Sequence, residues 1–280
     1  MQAQSTFGIA GLLGWPVAHS RSPVIHNHWL ARYGIPGRYV LFGVAPESLA
    51  AAVKGMSVLR LRGCNVTTPH KQAVMALLDD VDPLAKSIGA VNTIVVGDDG
   101  SLRGYNNDGN GFVQSVRDAH ASWRPDSGPI AIIGAGGAAR AVIASLAAQG
   151  AREIRVVNRT FERAKALADA FGPPIAAVRW ADRERALDGA ALAVNATNQG
   201  MDGQPALDIA LANLPPHAIV ADLIYVPRET PFLQAARLRG NATLNGLGML
   251  LNQARPAFNA WFGVMPEITP ELKQAIAATF

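Results

Sequence analysis

The segment Gly134-Ala-Gly136-Gly-Ala-Ala139 constrains this chain more than any other. It follows the apolar run Ile130-Ala-Ile-Ile133 and opens an alanine-rich stretch of helical character. In that setting the G-x-G-x-x-G/A spacing has mechanical meaning. The first glycine permits a tight turn, Gly136 lets backbone approach a pyrophosphate, and Ala139 allows close helix packing. The first N–H groups of such a helix have no intrahelical acceptor and carry partial positive charge, so Gly134, Ala135, Gly136, Gly137 and Ala138 are expected to hold phosphates.

The next expected strand, Ile154 to Val157, decides which dinucleotide fits. An Asp or Glu at its end would accept hydrogen bonds from a free ribose 2′-hydroxyl. Here the strand runs into Asn158-Arg159-Thr160, with Arg163 one turn into the following helix. Cations sit poorly at the positive end of a helix dipole unless an anion joins them. Two guanidinium groups and a hydroxyl suit a 2′-phosphate, which favours NADP over NAD.

A length of 280 residues exceeds the usual domain of roughly 100 to 200, so two domains are expected. With 49% apolar and 16% charged residues the chain reads as globular rather than disordered. Its net charge of +4 is spread over 25 Lys and Arg that never form more than pairs, so nucleic-acid binding is not expected. Cys64 is the single cysteine, which excludes an internal disulfide and any thiolate-rich metal site. Neither a signal-like start within Met1 to Gly14 nor about 18 unbroken apolar residues occurs, so a cytoplasmic protein with no membrane contact is expected. Of the six histidines, His26 and His28 stand two apart and would face different ways, and no metal is expected. Monomer and homodimer both remain open.

Short β-rich runs alternate with helical patterns from end to end, which reads as α/β with parallel sheets. Strands are expected at Phe7 to Leu13, Tyr39 to Val44, Arg62 to Val66 and Val91 to Val96, with helices at Pro23 to Tyr33 and Pro46 to Met56. Ser22 before Pro23 reads as an N-cap. Beyond the turn-rich stretch Trp123 to Pro129, a second series comprises Ile130 to Ile133, Ile154 to Val157, helix Phe161 to Ala170, Ile175 to Val178, Leu192 to Asn195 and Ile219 to Leu223. Helix returns over Leu247 to Phe262 and Pro270 to Thr279. Trp29, Trp123, Trp180 and Trp261 read as packing residues, Cys64 as buried, and His70 as a structural neighbour.

Three polar segments sit where apolar strands end. His19-Ser20-Arg-Ser22-Pro23 offers two hydroxyls at a helix start, suited to a carboxylate. Asn65-Val-Thr67-Thr-Pro-His-Lys71 is followed by Asn92-Thr93, and Asn106-Asn-Asp108-Gly-Asn-Gly111 closes the set. A lysine and an aspartate brought together make a proton-transfer pair, the ammonium donating to a carbonyl oxygen while the carboxylate orients it. Individually, Lys71 would more often be a surface lysine and Asp108 a helix cap.

Taken in order, these segments resemble the shikimate dehydrogenase family across nearly the whole chain. The resemblance also covers Ala90-Val-Asn92-Thr93, Asn195-Ala-Thr197, Asp222-Leu-Ile-Tyr225-Val-Pro227 and Gly246-Leu-Gly248-Met249-Leu-Leu-Asn-Gln253. It implies Lys71 and Asp108 as the catalytic pair. Ser20 and Ser22 would hold the substrate carboxylate, with Thr67, Asn92, Tyr225 and Gln253 completing the pocket alongside Lys71 and Asp108. Thr197, Leu223, Gly246 and Met249 would line the path to the nicotinamide. The implied fold is two αβ domains around a cleft: residues 1–106 with 247–280 for substrate, and a Rossmann-type parallel sheet in 107–246 for NADP. The implied reaction is NADPH-dependent reduction of 3-dehydroshikimate to shikimate, on the way to chorismate and the aromatic amino acids. Two positions depart from the family pattern, Asn107 where Thr usually precedes the aspartate and Asn198 where Ser usually follows Thr197. A paralogue acting on quinate or aminoshikimate, or a non-catalytic NADP-binding regulator, are the competing readings.

Replacing Arg159 by Ala should weaken NADP binding by about 10- to 100-fold while leaving NAD within about threefold, as expected for loss of one charge-assisted hydrogen bond. Titration with both dinucleotides checks this, and an equal loss for both would refute the 2′-phosphate assignment.

Overall fold

The computed structural model describes residues 7–279. Residues 1–6 of the expected N-terminal segment, and Phe280 at the end of the expected substrate domain, lie outside the described residues. The chain divides into two compact units, Met1–Asn107 with Gln253–Phe280, and Asp108–Asn252.

The first unit begins with β1 (Gly8–Gly14), α1 (Ser22–Arg32), β2 (Gly37–Gly43), α2 (Leu49–Val58) and β3 (Gly63–Val66). After these come β4 (Asp80–Val81), α3 (Pro83–Ile88), β5 (Thr93–Val96) and β6 (Leu102–Tyr105). Its sheet runs β2-β1-β3-β5-β6-β4. β1 pairs in parallel with β2 and β3, whereas β5 runs antiparallel to both β3 and β6. The expectation of parallel sheets throughout therefore fails here. The cause is a tight turn: Gly97 N–H donates to Ser101 O at 2.8 Å, and Asp99 accepts from the Ser101 N–H and hydroxyl. A connection that short can join only antiparallel neighbours.

The reversal puts the end of β1, the end of β3, the start of β5 and the end of β6 on one edge of the sheet. One sheet face packs Leu13, Cys64 and Val66 against Leu49, Val53 and Met56 of α2. The other packs Ala10, Leu12 and Tyr39 against Ala257 and Trp261. His26 of α1 lies in this second layer, stacked on Tyr39 at 4.1 Å, and burial pulls its imidazole down to about 3. Cys64 is buried, and burial pushes its thiol up to about 12.

The second unit comprises α4 (Asp108–Ala119), β7 (Ile130–Ile133), α5 (Gly137–Ala148), β8 (Ile154–Val157), α6 (Phe161–Phe171) and β9 (Ile175–Val178). It continues with β10 (Leu192–Asn195), β11 (Ile219–Asp222), α7 (Pro231–Leu238) and β12 (Ala242–Leu244). Every pairing in the order β12-β11-β10-β7-β8-β9 is parallel, the doubly wound order that reverses beside its first strand. Both faces are covered. Ile130 and Ile132 pack with Phe112, Val142 and Leu146, while Ala131 and Ile133 pack with Leu187, Phe232 and Leu233. That two-sided burial is why the strands read as unbroken apolar runs. α8 (Leu247–Phe262) and α9 (Pro270–Ala277) end the chain. No helix among the described residues is long and apolar enough to cross a membrane.

Gly109 fixes the start of α4. A Cβ built there would stand 2.0 Å from the Ala141 carbonyl oxygen of α5, so the two helices touch backbone to backbone. Gly109→Ala should destabilise the chain by about 1 to 3 kcal/mol through overpacking and shift the neighbouring Asp108. Urea unfolding together with turnover measurements tests this, and an unchanged midpoint would refute the tight contact.

Candidate active site

In the second unit a cavity of about 270 Å³ opens where β7 and β10 part. It is lined by Ile133, Gly134, Ala135, Gly136, Asn158, Arg159, Arg163, Trp180, Ala196, Thr197, Asn198 and Gln199. This is the switch point of the sheet, outside the carboxyl ends of the strands, where open αβ sheets take ligands. Gly134 has φ +119°, and a Cβ on it would meet the Ala196 carbonyl oxygen at 2.8 Å, so both its conformation and its packing demand glycine.

Gly136 and Gly137 have no such requirement, because a Cβ on either would meet nothing within 4 Å. Bare backbone facing open space fits an approaching pyrophosphate. Gly136 is the N-cap of α5 and makes no side-chain capping bond, which leaves the helix start to a ligand anion. Thr160, N-cap of α6, likewise makes no side-chain capping bond, and Arg159 and Arg163 beside it are exposed. The donor set therefore fits a dinucleotide with a charged ribose.

Two polar strand ends shape the opposite wall. Asn195 Oδ1 accepts from Thr197 N–H at 3.0 Å and from Thr197 Oγ1 at 2.7 Å, while its Nδ2 donates to both oxygens of Asp222 at 3.1 Å. Asp222 also accepts from Ile224 N–H and from the Thr230 hydroxyl, which caps α7. Asp222 is buried, and desolvation raises its pKa above the ordinary value despite these donors. One carboxylate thus ties down the Thr197 turn, the loop that carries Leu223 and Tyr225, and the start of α7. Leu223 and Met249 pack on the same core cluster, and Gly246 is pressed so close to the Leu223 carbonyl oxygen that a Cβ would stand 2.1 Å away.

Trp180 is half-buried and packs against the core as read, and it also lines the cavity, which that reading did not include. The other three tryptophans so read, Trp29, Trp123 and Trp261, are buried. Sequence reasoning also passed over Ala196, Gln199 and Asp222. The signal available for them was their place at, or just beyond, the ends of strands β10 and β11.

In the first unit hydrogen bonds join several expected substrate residues. Ser20 Oγ donates to Ser22 Oγ at 3.2 Å. Tyr39 donates to Asn65 Oδ1 at 2.8 Å, and Asn65 Nδ2 donates to Asn92 O and Thr93 Oγ1. Thr93 donates to Asn92 Oδ1 at 2.9 Å, and Asn92 Nδ2 donates to Gln253 Oε1 at 3.2 Å.

Ser22 is not an N-cap, contrary to its sequence reading. Arg21 holds that position without a side-chain cap, and Ser20 Oγ accepts the Ser22 N–H at 3.2 Å instead. The Ser22 hydroxyl is thereby left for other work. Thr67 and Lys71 lie on the turn after β3. That turn is anchored by His70, whose Nε2 lies 2.7 Å from Val44 O, and by the Val91 N–H donating to Lys71 O at 2.8 Å. Lys71 is half-buried, and Asp108 is buried at the first residue of α4.

The family profile of the shikimate dehydrogenase substrate binding domain matches residues 12–94, and that of shikimate / quinate 5-dehydrogenase matches residues 121–203. The NADP(+) shikimate dehydrogenase of Paramagnetospirillum magneticum is 52% identical over 265 residues, covering 95% of this chain and 96% of that one. The chain belongs to the shikimate dehydrogenase family.

Shikimate 5-dehydrogenase from Thermus thermophilus, crystallised with NADP(H) and shikimate, superposes with a TM-score of 0.86 at 36% identity, covering 98% of this chain and 100% of that one. Quinate dehydrogenase from Corynebacterium glutamicum, solved with NAD, superposes with a TM-score of 0.89 at 31% identity, covering 97% of this chain and 99% of that one. Family members of this fold thus include enzymes named for different acids and solved with different dinucleotides.

The raised pKa of Asp222 has a definite sign. Above pH 3.8 and up to the raised value, the folded chain keeps a proton that the unfolded chain has released, so this group's contribution to stability falls as pH rises. Asp222→Asn carries no such proton. Urea unfolding across this interval should show wild-type stability declining relative to Asp222→Asn, and a constant difference would refute the shift.

Proposed function

We propose that the chain catalyses the reversible NADPH-dependent reduction of 3-dehydroshikimate to shikimate, within chorismate and aromatic amino-acid biosynthesis. Identity of about half over nearly the full length to relatives named NADP(+) shikimate dehydrogenase supports the reaction. The observation that carries the cofactor assignment in this chain is the cavity beside β8, where Arg159 and Arg163 stand in place of a ribose-binding carboxylate. Residues 107–246 are assigned to NADP, and residues 1–106 with 247–280 to the substrate. A cytoplasmic location accords with a single thiol that is buried rather than bridged. Small-molecule ligands, rather than nucleic acid or membrane, are the partners.

NADPH supplies a hydride to the ring ketone when bound. Lys71 donates a proton from its ammonium to the oxygen that becomes the hydroxyl, so that ketone, hydride and proton together give the alcohol. Asp108 orients that ammonium and offsets its charge, and the lysine is reprotonated from solvent. Ser20 and Ser22 hold the carboxylate by hydroxyl hydrogen bonds, and Thr67, Asn92, Tyr225 and Gln253 hold the hydroxyls. Gly134, Ala135, Gly136, Gly137 and Ala138 bind pyrophosphate, and Asn158, Arg159, Thr160 and Arg163 bind the adenosine 2′-phosphate. Thr197, Leu223, Gly246 and Met249 seat the nicotinamide. The mechanism requires Lys71 and Asp108 to reach one bound substrate.

Proton transfer of this kind contributes about 10²- to 10⁴-fold to rate. Lys71→Met should lower kcat by that factor while the NADP dissociation constant stays within about threefold. Assays pairing shikimate and quinate with NADP and NAD identify the substrate. Near-normal turnover by the variant would refute the role of Lys71, and higher kcat/KM for quinate would refute the choice of acid.

A further inference from the structure

The amide of Asn92 is 2% exposed, and its two ends are used differently. Its Oδ1 accepts the Asn107 N–H at 2.9 Å and the Thr93 hydroxyl at 2.9 Å, while its Nδ2 donates to Gln253 Oε1 at 3.2 Å. A backbone N–H is a donor only, so the Asn107 peptide settles which end of the Asn92 amide is oxygen.

The Thr93 hydroxyl, 1% exposed, has one proton and two lone pairs. Asn65 Nδ2 donates to it at 3.2 Å and Asn107 Nδ2 at 3.1 Å, filling both lone pairs. The orientation of Asn65 is fixed separately, because the same NH₂ group donates to the Asn92 carbonyl at 3.2 Å. With two donors on its oxygen, the single Thr93 proton has Asn92 Oδ1 as its acceptor. The side chain of Asn107 is therefore one of the two groups that set the direction of this hydrogen bond.

Resting on the reading that Asn92 and Gln253 hold a ring hydroxyl of a polyhydroxy acid, we propose that Asn107 is a specificity-determining positioning residue. Its NH₂ group commits the Thr93 hydroxyl to Asn92 Oδ1 and so keeps the Asn92 NH₂ group as a fixed donor to that ring hydroxyl. The geometry asks for a donor at position 107, not for an amide as such. A residue that cannot donate leaves one lone pair of the buried Thr93 oxygen unfilled, and the hydrogen bond by which Thr93 holds Asn92 weakens. Sites that hydrogen-bond a substrate hydroxyl reject analogues lacking it, because their own polar groups would be left unpaired. Loosening the site should therefore erode that rejection.

Valine and threonine have nearly the same shape and differ here by one hydroxyl, so Asn107→Val and Asn107→Thr separate donation from bulk. Steady-state kinetics with NADP should be measured on shikimate and on its 4-deoxy and 5-deoxy analogues. Wild type should prefer shikimate over one of the two deoxy acids. Asn107→Val should reduce that preference by about tenfold, the scale of one buried hydrogen bond, through a higher KM for shikimate. Asn107→Thr should recover most of the preference, and the KM for NADP should be the same in all three proteins.

An unchanged preference in Asn107→Val, an equal loss in Asn107→Thr, or a uniform fall on all three acids would overturn the proposal. So would a wild type indifferent to both deoxy acids. Absence of wild-type turnover on shikimate would instead overturn the reaction assigned above, which keeps the two failures apart.

Discussion

An amide or hydroxyl buried without a partner costs about 1 to 3 kcal/mol, and at one edge of the first sheet Asn65, Asn92, Thr93 and Asn106 are buried together. None of them packs like an apolar residue, so each must be satisfied by another or by backbone. Asn106 is satisfied by the Ala90 carbonyl at 2.9 Å, and the rest by one another, by Tyr39 and by Gln253. The outcome is a line of groups whose donor and acceptor directions are mutually fixed. Such a line is preorganised, as the site proposed for a polyhydroxy acid requires.

The second unit uses the same device with a charge in it. Asn195 and Asp222 end neighbouring parallel strands in register, and their side chains meet where the sheet opens toward its ligand. Burying a carboxylate raises its pKa, yet here it gathers the amide of a neighbouring strand end and, from the loop before α7, a hydroxyl and a backbone N–H. Loops are the mobile part of a doubly wound fold, and this single residue joins that one to the rigid part.

Most of the second unit was legible from sequence, because a parallel sheet covered on both faces turns its strands into short apolar runs such as Ile130 to Ile133 and Leu192 to Val194. The first unit was less so. Its sheet changes direction at Gly97-Asp-Asp-Gly100, a turn signal that was present but short, and β6 and the two-residue β4 carry too little pattern to stand out. Local rules also misassigned side chains whose role is set by distant partners. Ser22 has the sequence of an N-cap, but Ser20 takes its N–H. Trp180 packs on the core as its type suggests, but no local pattern signals that it also lines the cavity. Asp222 lies within a motif, yet only its burial against Asn195 and Thr230 reveals what it holds.

The absence of a side chain at Gly109 reaches beyond packing. α4 carries the proposed acid partner at its first residue, and α5 begins at the glycine turn proposed to hold the phosphates. At Gly109 the two helices touch backbone to backbone, with no side chain of that residue between them. A displacement of α5 at that point therefore bears directly on the backbone of α4, one residue from the carboxylate.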